Sequence, residues 1–187
     1  MFWIEIAALL LGLVYVLLAI YESRWCWLFG GLSSLLYVII FLPQKLLVFS
    51  GLNVFYIILA VVGFFRWNAA KREDLNVIRR MGIVQLASLI ILGVIFSVIL
   101  YLLLKNFYKS DVAAFEAVAG GAAIVATMGT IAKFLENWLF WIFSNMTYII
   151  LFLLNRNFPT AALYFVFSLF ALFGYFRWRQ GYYARVQ

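Results

Sequence analysis

Apolar residues run in seven blocks along the chain, at about 2–20, 25–42, 46–65, 82–104, 114–132, 138–154 and 160–176, and polar residues gather between them. Each block approaches the ~20 residues a helix needs to cross about 30 Å of hydrocarbon, and none shows the period-two alternation of a membrane barrel strand. Within lipid a helix satisfies its own backbone hydrogen bonds, so the pattern predicts an all-α membrane protein with seven spanning helices. No charged leader and small-residue cleavage site precede the first block, which is therefore expected to remain as a spanning helix.

Internal similarity refines this picture. Under an offset of 114 residues, Glu22, Trp27 and Phe29 fall on Glu136, Trp141 and Phe143, setting Gly31 opposite Asn145 and Ser34 opposite Tyr148. Under an offset of 111, "GFFRW" at 63–67 falls on "GYFRW" at 174–178 and Glu5 on Glu116, while both prolines, Pro43 and Pro159, sit in the turn between the second and third helix of each half. The chain thus reads as three helices, a linker helix and three more. An odd linker gives both halves the same orientation, making parallel repeats about an axis along the membrane normal. The expected divisions are a first bundle at 1–67, a basic cytoplasmic loop with the linker helix at 68–113, a second bundle at 114–178 and a tail at 179–187.

Composition sharpens the exclusions. Of 187 residues 68% are apolar and 11% charged, with a mean hydropathy of +1.08. The net charge of +7 is explained by topology. With the N-terminus outside, Arg24, Arg66, Lys71, Arg72, Arg79, Arg80, Lys133, Arg177, Arg179 and Arg185 are cytoplasmic, against Lys45, Lys105, Lys109 and Arg156 outside. A nucleic-acid partner is not needed to explain the basic balance. The single Cys26 cannot form an intrachain disulfide, and a chain without histidine excludes a His metal site or a His-dependent nucleophile. No metal or cofactor is expected. Ser33, Ser34 and Thr147 have no acidic or basic neighbour at mid-span, which argues against an intramembrane enzyme. No phosphate-binding Gly-rich Lys/Ser motif occurs, and no ionisable side chain falls at mid-span where a proton relay places one. Facilitated diffusion is the natural reading.

The polar residues inside the spans mark a candidate site. Trp138, Trp141, Asn145 and Tyr148, spaced 3, 4 and 3 apart, share one face of the sixth helix, with Asn145 roughly 10 Å deeper than Trp138. Asn53 and Tyr56 lie one turn apart at comparable depth in the third helix. Carboxamides can pair with an amide or hydroxyl of a ligand, and aromatic walls favour a flat, cationic ring. Glu5 and Glu116, near the external surface, can draw cations in or simply reach for water as interfacial carboxylates. Trp138 also suits an aromatic belt, and the Gly pairs at 30–31 and 120–121 suit close helix packing. Glu22 and Asn137 read as helix starts.

Trp138-x-x-Trp141-x-x-x-Asn145, preceded by Glu136-Asn137, resembles the motif of the PnuC family of bacterial vitamin transporters, and "LFGGLSSLLYVIIF", Leu52-Asn53 and "GFFRW" extend the resemblance over nearly the whole chain. It implies a SWEET-like architecture, a homotrimer in the bacterial inner membrane and import of nicotinamide riboside, or of thiamine as in the relatives often named PnuT. It also implies a cytoplasmic kinase that traps the vitamin. Trp138, Trp141 and Asn145 match the motif directly. Asn53 stands where related nicotinamide riboside carriers favour Gln, and Glu116 where Asp is usual. The mechanism expected is a rocking of the two halves, with Trp138 and Trp141 closing the cytoplasmic side of a site near Asn145 and Asn53.

Overall fold

The apolar blocks all become helices. The structure, a computed structural model, describes residues 2–72 and 77–186. Its helices are α1 (Phe2–Ile20), α2 (Cys26–Phe41), α3 (Leu47–Arg72), α4 (Ile83–Tyr108), α5 (Ala113–Ile131), α6 (Asn137–Leu154) and α7 (Phe158–Val186). Six are long and apolar enough to cross a membrane; α2, with 16 residues, is too short to meet that length. It reaches about 24 Å at 1.5 Å per residue. In the opposite sense, α3 and α7 outrun their apolar blocks, continuing to Arg72 and Val186. Hydropathy marks where lipid ends, whereas a helix that hydrogen-bonds to itself can continue into water. Of the basic residues used to orient the chain, the side chains of Lys71, Arg72 and Arg185 lie outside the described residues.

The chain divides into two compact units, Met1–Val77 and Ile78–Gln187. In the first, α1 packs on α2 and α2 on α3; in the second, α4 packs on α5, α5 on α6 and α6 on α7. The different sequences of α1 and α5 follow from this. α5 has neighbours on two sides and is buried along most of its length, so it is built from Ala and Gly. Within its unit α1 packs chiefly on α2, is buried only at Ala8, Ala19 and Ile20, and carries Leu, Val and aromatic side chains instead.

Inside each unit the same contacts recur 111 residues apart. Trp27 meets Trp67 edge to face with ring centroids 5.4 Å apart at 86°, and Trp138 meets Trp178 at 5.4 Å and 88°. A Cβ on Gly63 would run into the Trp27 ring, as one on Gly174 would into the Trp138 ring at 2.7 Å. The close approach of α3 to α2, and of α7 to α6, therefore requires glycine. The Ser33 hydroxyl donates to the Ala8 carbonyl and that of Ser144 to the Ala119 carbonyl, both at 2.8 Å. Tyr37 stacks on Phe41 and Tyr148 on Phe152. Each of these pairs is offset by 111, so the 114 offset expected for the second helix is corrected by almost one helical turn. The later "Trp-x-x-Trp" offers two tryptophans to match with Trp27, and packing selects Trp138. Ser34 is then equivalent to Asn145, Tyr37 to Tyr148, and Gly30 to Trp141.

The helix ends repeat as well. Glu22, Lys45, Lys133 and Arg156 all have positive φ, between 55° and 59°. Each closes a helix by the paired backbone bonds of a left-handed C-terminal cap, as in Glu22 N–H to Ala19 and Ser23 N–H to Leu18, or Lys133 N–H to Thr130 and Phe134 N–H to Gly129. Glu22 thus ends α1 and does not start α2, a correction to the sequence reading. Beyond it, the Arg24 guanidinium donates to the Asn68 carboxamide oxygen and lies 5.3 Å from the centroid of the Trp25 ring, fastening the α1–α2 turn to α3.

Candidate binding site

The α5–α6 turn fixes how α6 enters its unit. Asn137, the first residue of α6 and fully buried, donates to the Phe134 carbonyl and accepts from the Thr130 hydroxyl at 2.9 Å. It is a helix start, as the sequence suggested, but it works by bridging back to α5. Glu136 does not cap its own helix: its carboxylate accepts from the Met81 N–H at 2.9 Å and pairs with Arg80 at 3.3 Å. That hydrogen bond, and then the carboxylate charge, hold the Arg80 guanidinium above its ordinary pKa. Arg79 adds backbone bonds to Lys133 and Leu135, so the segment before α4 is strapped along this turn. Glu136→Gln removes the charge from that strap, and the Met81 amide is expected to exchange with solvent about five- to tenfold faster. Amide hydrogen exchange checks this, and an unchanged Met81 rate would contradict it.

Along α6 the expected residues have different surroundings. Trp138 is 2% exposed and held between Gly174 and Trp178. It lies in the α6–α7 seam, neither in a surface belt nor on an open wall. The Trp141 indole, half-buried, leans on α5, its Nε1 donating to Thr130 Oγ1 at a long 3.4 Å. Tyr148 leans on α7, stacked on Tyr164 with centroids 4.6 Å apart. Between them is Asn145, eight residues or about 12 Å into α6. It is 6% exposed. Among the described residues its carboxamide makes no hydrogen bond, and it is not one of the polar groups sealed from solvent.

The remaining candidates are more locally engaged. Asn53 donates to the Phe49 carbonyl one turn back at 2.9 Å, and Tyr56 is half-buried. Glu116, in the first turn of α5, accepts from the Ser110 hydroxyl at 3.0 Å. Glu5 is exposed. Glu5, Asn53 and Tyr56 belong to one unit and the other candidates to the second. Among the described residues no cluster of His, Cys, Asp or Glu could hold a metal ion. A groove of about 700 Å³ runs over α4, α5 and α6 past Gly93, Ser97, Ala122 and Phe143, and one of about 360 Å³ over α2 and α3 past Gly31 and Phe64. Both are almost wholly apolar, and neither is lined by any of the candidate residues. A polar ligand needs convergent polar groups, which these grooves lack.

Sequence reasoning missed Thr130, which anchors both Asn137 and Trp141, and Tyr164, which also stacks on Phe152 at 5.5 Å. The signal for Tyr164 was present: at the 111 offset it is the equivalent of Asn53.

A family model for the nicotinamide mononucleotide transporter matches residues 2–180. The chain belongs to this transporter family. Among solved structures, the crystal structure of the vitamin B3 transporter PnuC is similar to it with a TM-score of 0.75 at 21% identity, covering 97% of this chain and 83% of that one. At that identity the likeness speaks for the fold. No curated protein matches the chain. Membership of the nicotinamide mononucleotide transporter family makes this a multi-pass membrane transporter.

Proposed function

We propose that this transporter imports a nicotinamide riboside-type vitamin precursor by facilitated diffusion with alternating access. The observation that carries this reading is Asn145, a nearly buried carboxamide without a hydrogen-bond partner among the described residues, on a helix face between Trp141 and the Tyr148–Tyr164 stack. A polar group in hydrocarbon normally finds a partner, so one that remains free is suited to a ligand. Aromatic faces beside it suit a flat cationic ring, and the carboxamide suits an amide or hydroxyl on it. Trp138 contributes by holding α6 to α7. Asn53 and Tyr56 join the site on the sequence argument, as does Glu116 as a cation attractor near the external surface. Thiamine is the second reading, because it too is a cationic heteroaromatic vitamin.

The same reading includes the duplicated three-one-three, SWEET-like arrangement, with α4 as the linker helix; contacts repeating at an offset of 111 support it. It includes an inner-membrane location with the N-terminus outside and the C-terminus cytoplasmic, supported by the loop charges. A homotrimer and a trapping cytoplasmic kinase rest on the resemblance to PnuC proteins. The test is uptake of radiolabelled nicotinamide riboside and thiamine by the purified protein in liposomes. Uptake is expected to run down the cargo's own gradient without ATP or an ion gradient. Uptake that needs a proton or sodium gradient would overturn facilitated diffusion, and no uptake of either vitamin would overturn the cargo class.

A further inference from the structure

Consecutive polar residues on α2 and α6 divide their work in the same way. Ser33 and Ser144 donate to carbonyls of the preceding helix, Ala8 and Ala119, and so join helices. The next residue in each case, Ser34 or Asn145, is nine-tenths buried, at 9% and 6% exposure. Neither side chain makes a hydrogen bond among the described residues. A helical serine in an apolar span can instead bond the carbonyl four residues back. Ser88, Thr127, Thr147 and Ser168 of this chain do so, whereas Ser34, like Ser50, does not. Nor is the Ser34 hydroxyl sealed in: the buried side-chain polar atoms without partners are Trp27 Nε1, Ser50 Oγ and Trp138 Nε1. Ser34 therefore carries an unpartnered hydroxyl that is not fully sealed, at the position equivalent to Asn145.

The surroundings differ in a way that preserves this. One turn before Asn145 is Trp141; one turn before Ser34 is Gly30, where a Cβ would touch the ring of Tyr15 at 2.9 Å. Tyr15 of α1 is itself equivalent to Ala126 of α5. The aromatic ring at this level thus comes from α1 in the first unit and from α6 in the second, and a polar side chain follows it in both.

We propose that Ser34 is a cargo-binding residue, its hydroxyl pairing with a hydroxyl or amide of the transported vitamin as the first unit's counterpart of Asn145. The proposal rests on the transport reading above. A hydroxyl both donates and accepts and can rotate to suit its partner, so Ser34 tolerates either group where Asn145 is more directional.

Tryptophan-fluorescence titration of the purified full chain with nicotinamide riboside and with thiamine tests it. Ser34→Ala is expected to raise the Kd of the bound vitamin about three- to tenfold, the loss of one hydrogen bond, with the thermal midpoint unchanged. Ser33→Ala is expected to do the reverse, lowering the midpoint and leaving the Kd unchanged. A second variant, Ser34→Cys with Cys26→Ala, should react with a small water-soluble thiol reagent, and saturating vitamin should slow that reaction. A Ser34→Ala Kd equal to wild type, or a cysteine that vitamin does not protect, overturns the assignment and leaves the transport reading standing. Wild type that binds neither vitamin overturns the proposed cargo class instead.

Discussion

Asn145→Ala is expected to weaken vitamin binding by about 10- to 100-fold while leaving the thermal midpoint of the protein within a degree or two of wild type. The two halves of this expectation have one cause. The Asn145 carboxamide makes no hydrogen bond among the described residues, so removing it breaks no bond within the fold. It is also nearly buried, so a ligand group paired with it has little water to replace it, and a buried polar group left unpaired costs about 1–3 kcal/mol. Trp141→Ala should weaken binding comparably through loss of an aromatic face, but it also removes the indole that leans on Thr130 and should lower the midpoint slightly. Ser144→Ala supplies the contrast: it breaks the α6–α5 bond to Ala119 and should cost stability without a matching loss of affinity. Fluorescence titration and thermal unfolding of the three variants decide the matter. If Asn145→Ala bound both vitamins like wild type, the site assignment would be wrong.

Seven helices were legible because lipid allows few other folds and the apolar blocks were long. Their ends were less so, since α3 and α7 continue beyond the hydropathy that revealed them. The Gly pair at 120–121 was read as packing, and Gly121 does lie against the backbone of α4. The repeat was visible, but its offset at the second helix was not. Two tryptophans three residues apart give two alignments differing by one turn, and only the Trp138–Trp178 and Gly174 contacts choose between them. The consequence reaches the site. Trp138 and Trp141 look alike in the string, yet one is locked against α7 while the other leans on α5. Asn145 could be named from its spacing, but its lack of a partner could not. Ser34 was compared with the wrong residue for the same reason, so its likeness to Asn145 stayed hidden.

Gly121→Ala is expected to be among the most destabilising single-carbon additions in the second unit, at about 1–3 kcal/mol. A Cβ there would meet the Ser97 hydroxyl, and it would also sit 2.8 Å from the Gly93 carbonyl oxygen and 3.0 Å from the Ser97 backbone nitrogen. A side chain can rotate away; the backbone of α4 cannot, so the two helices must separate. Between membrane helices this matters more than its size suggests, because close van der Waals approach replaces the hydrophobic drive that water would supply. Gly51 in α3 gives the opposite case, with nothing within 4 Å of an added Cβ. Gly51→Ala should therefore be neutral or stabilising by up to about 1 kcal/mol, through helix propensity alone. Thermal unfolding of both variants in detergent separates packing from propensity, and equal midpoints for the two would show that the α4–α5 seam is not tight. The effect should extend to binding. α5 carries Thr130, against which Trp141 leans, so a displaced α5 should loosen the placement of Trp141 as well. Gly121→Ala is then expected to weaken the vitamin's Kd although no part of Gly121 belongs to the proposed site.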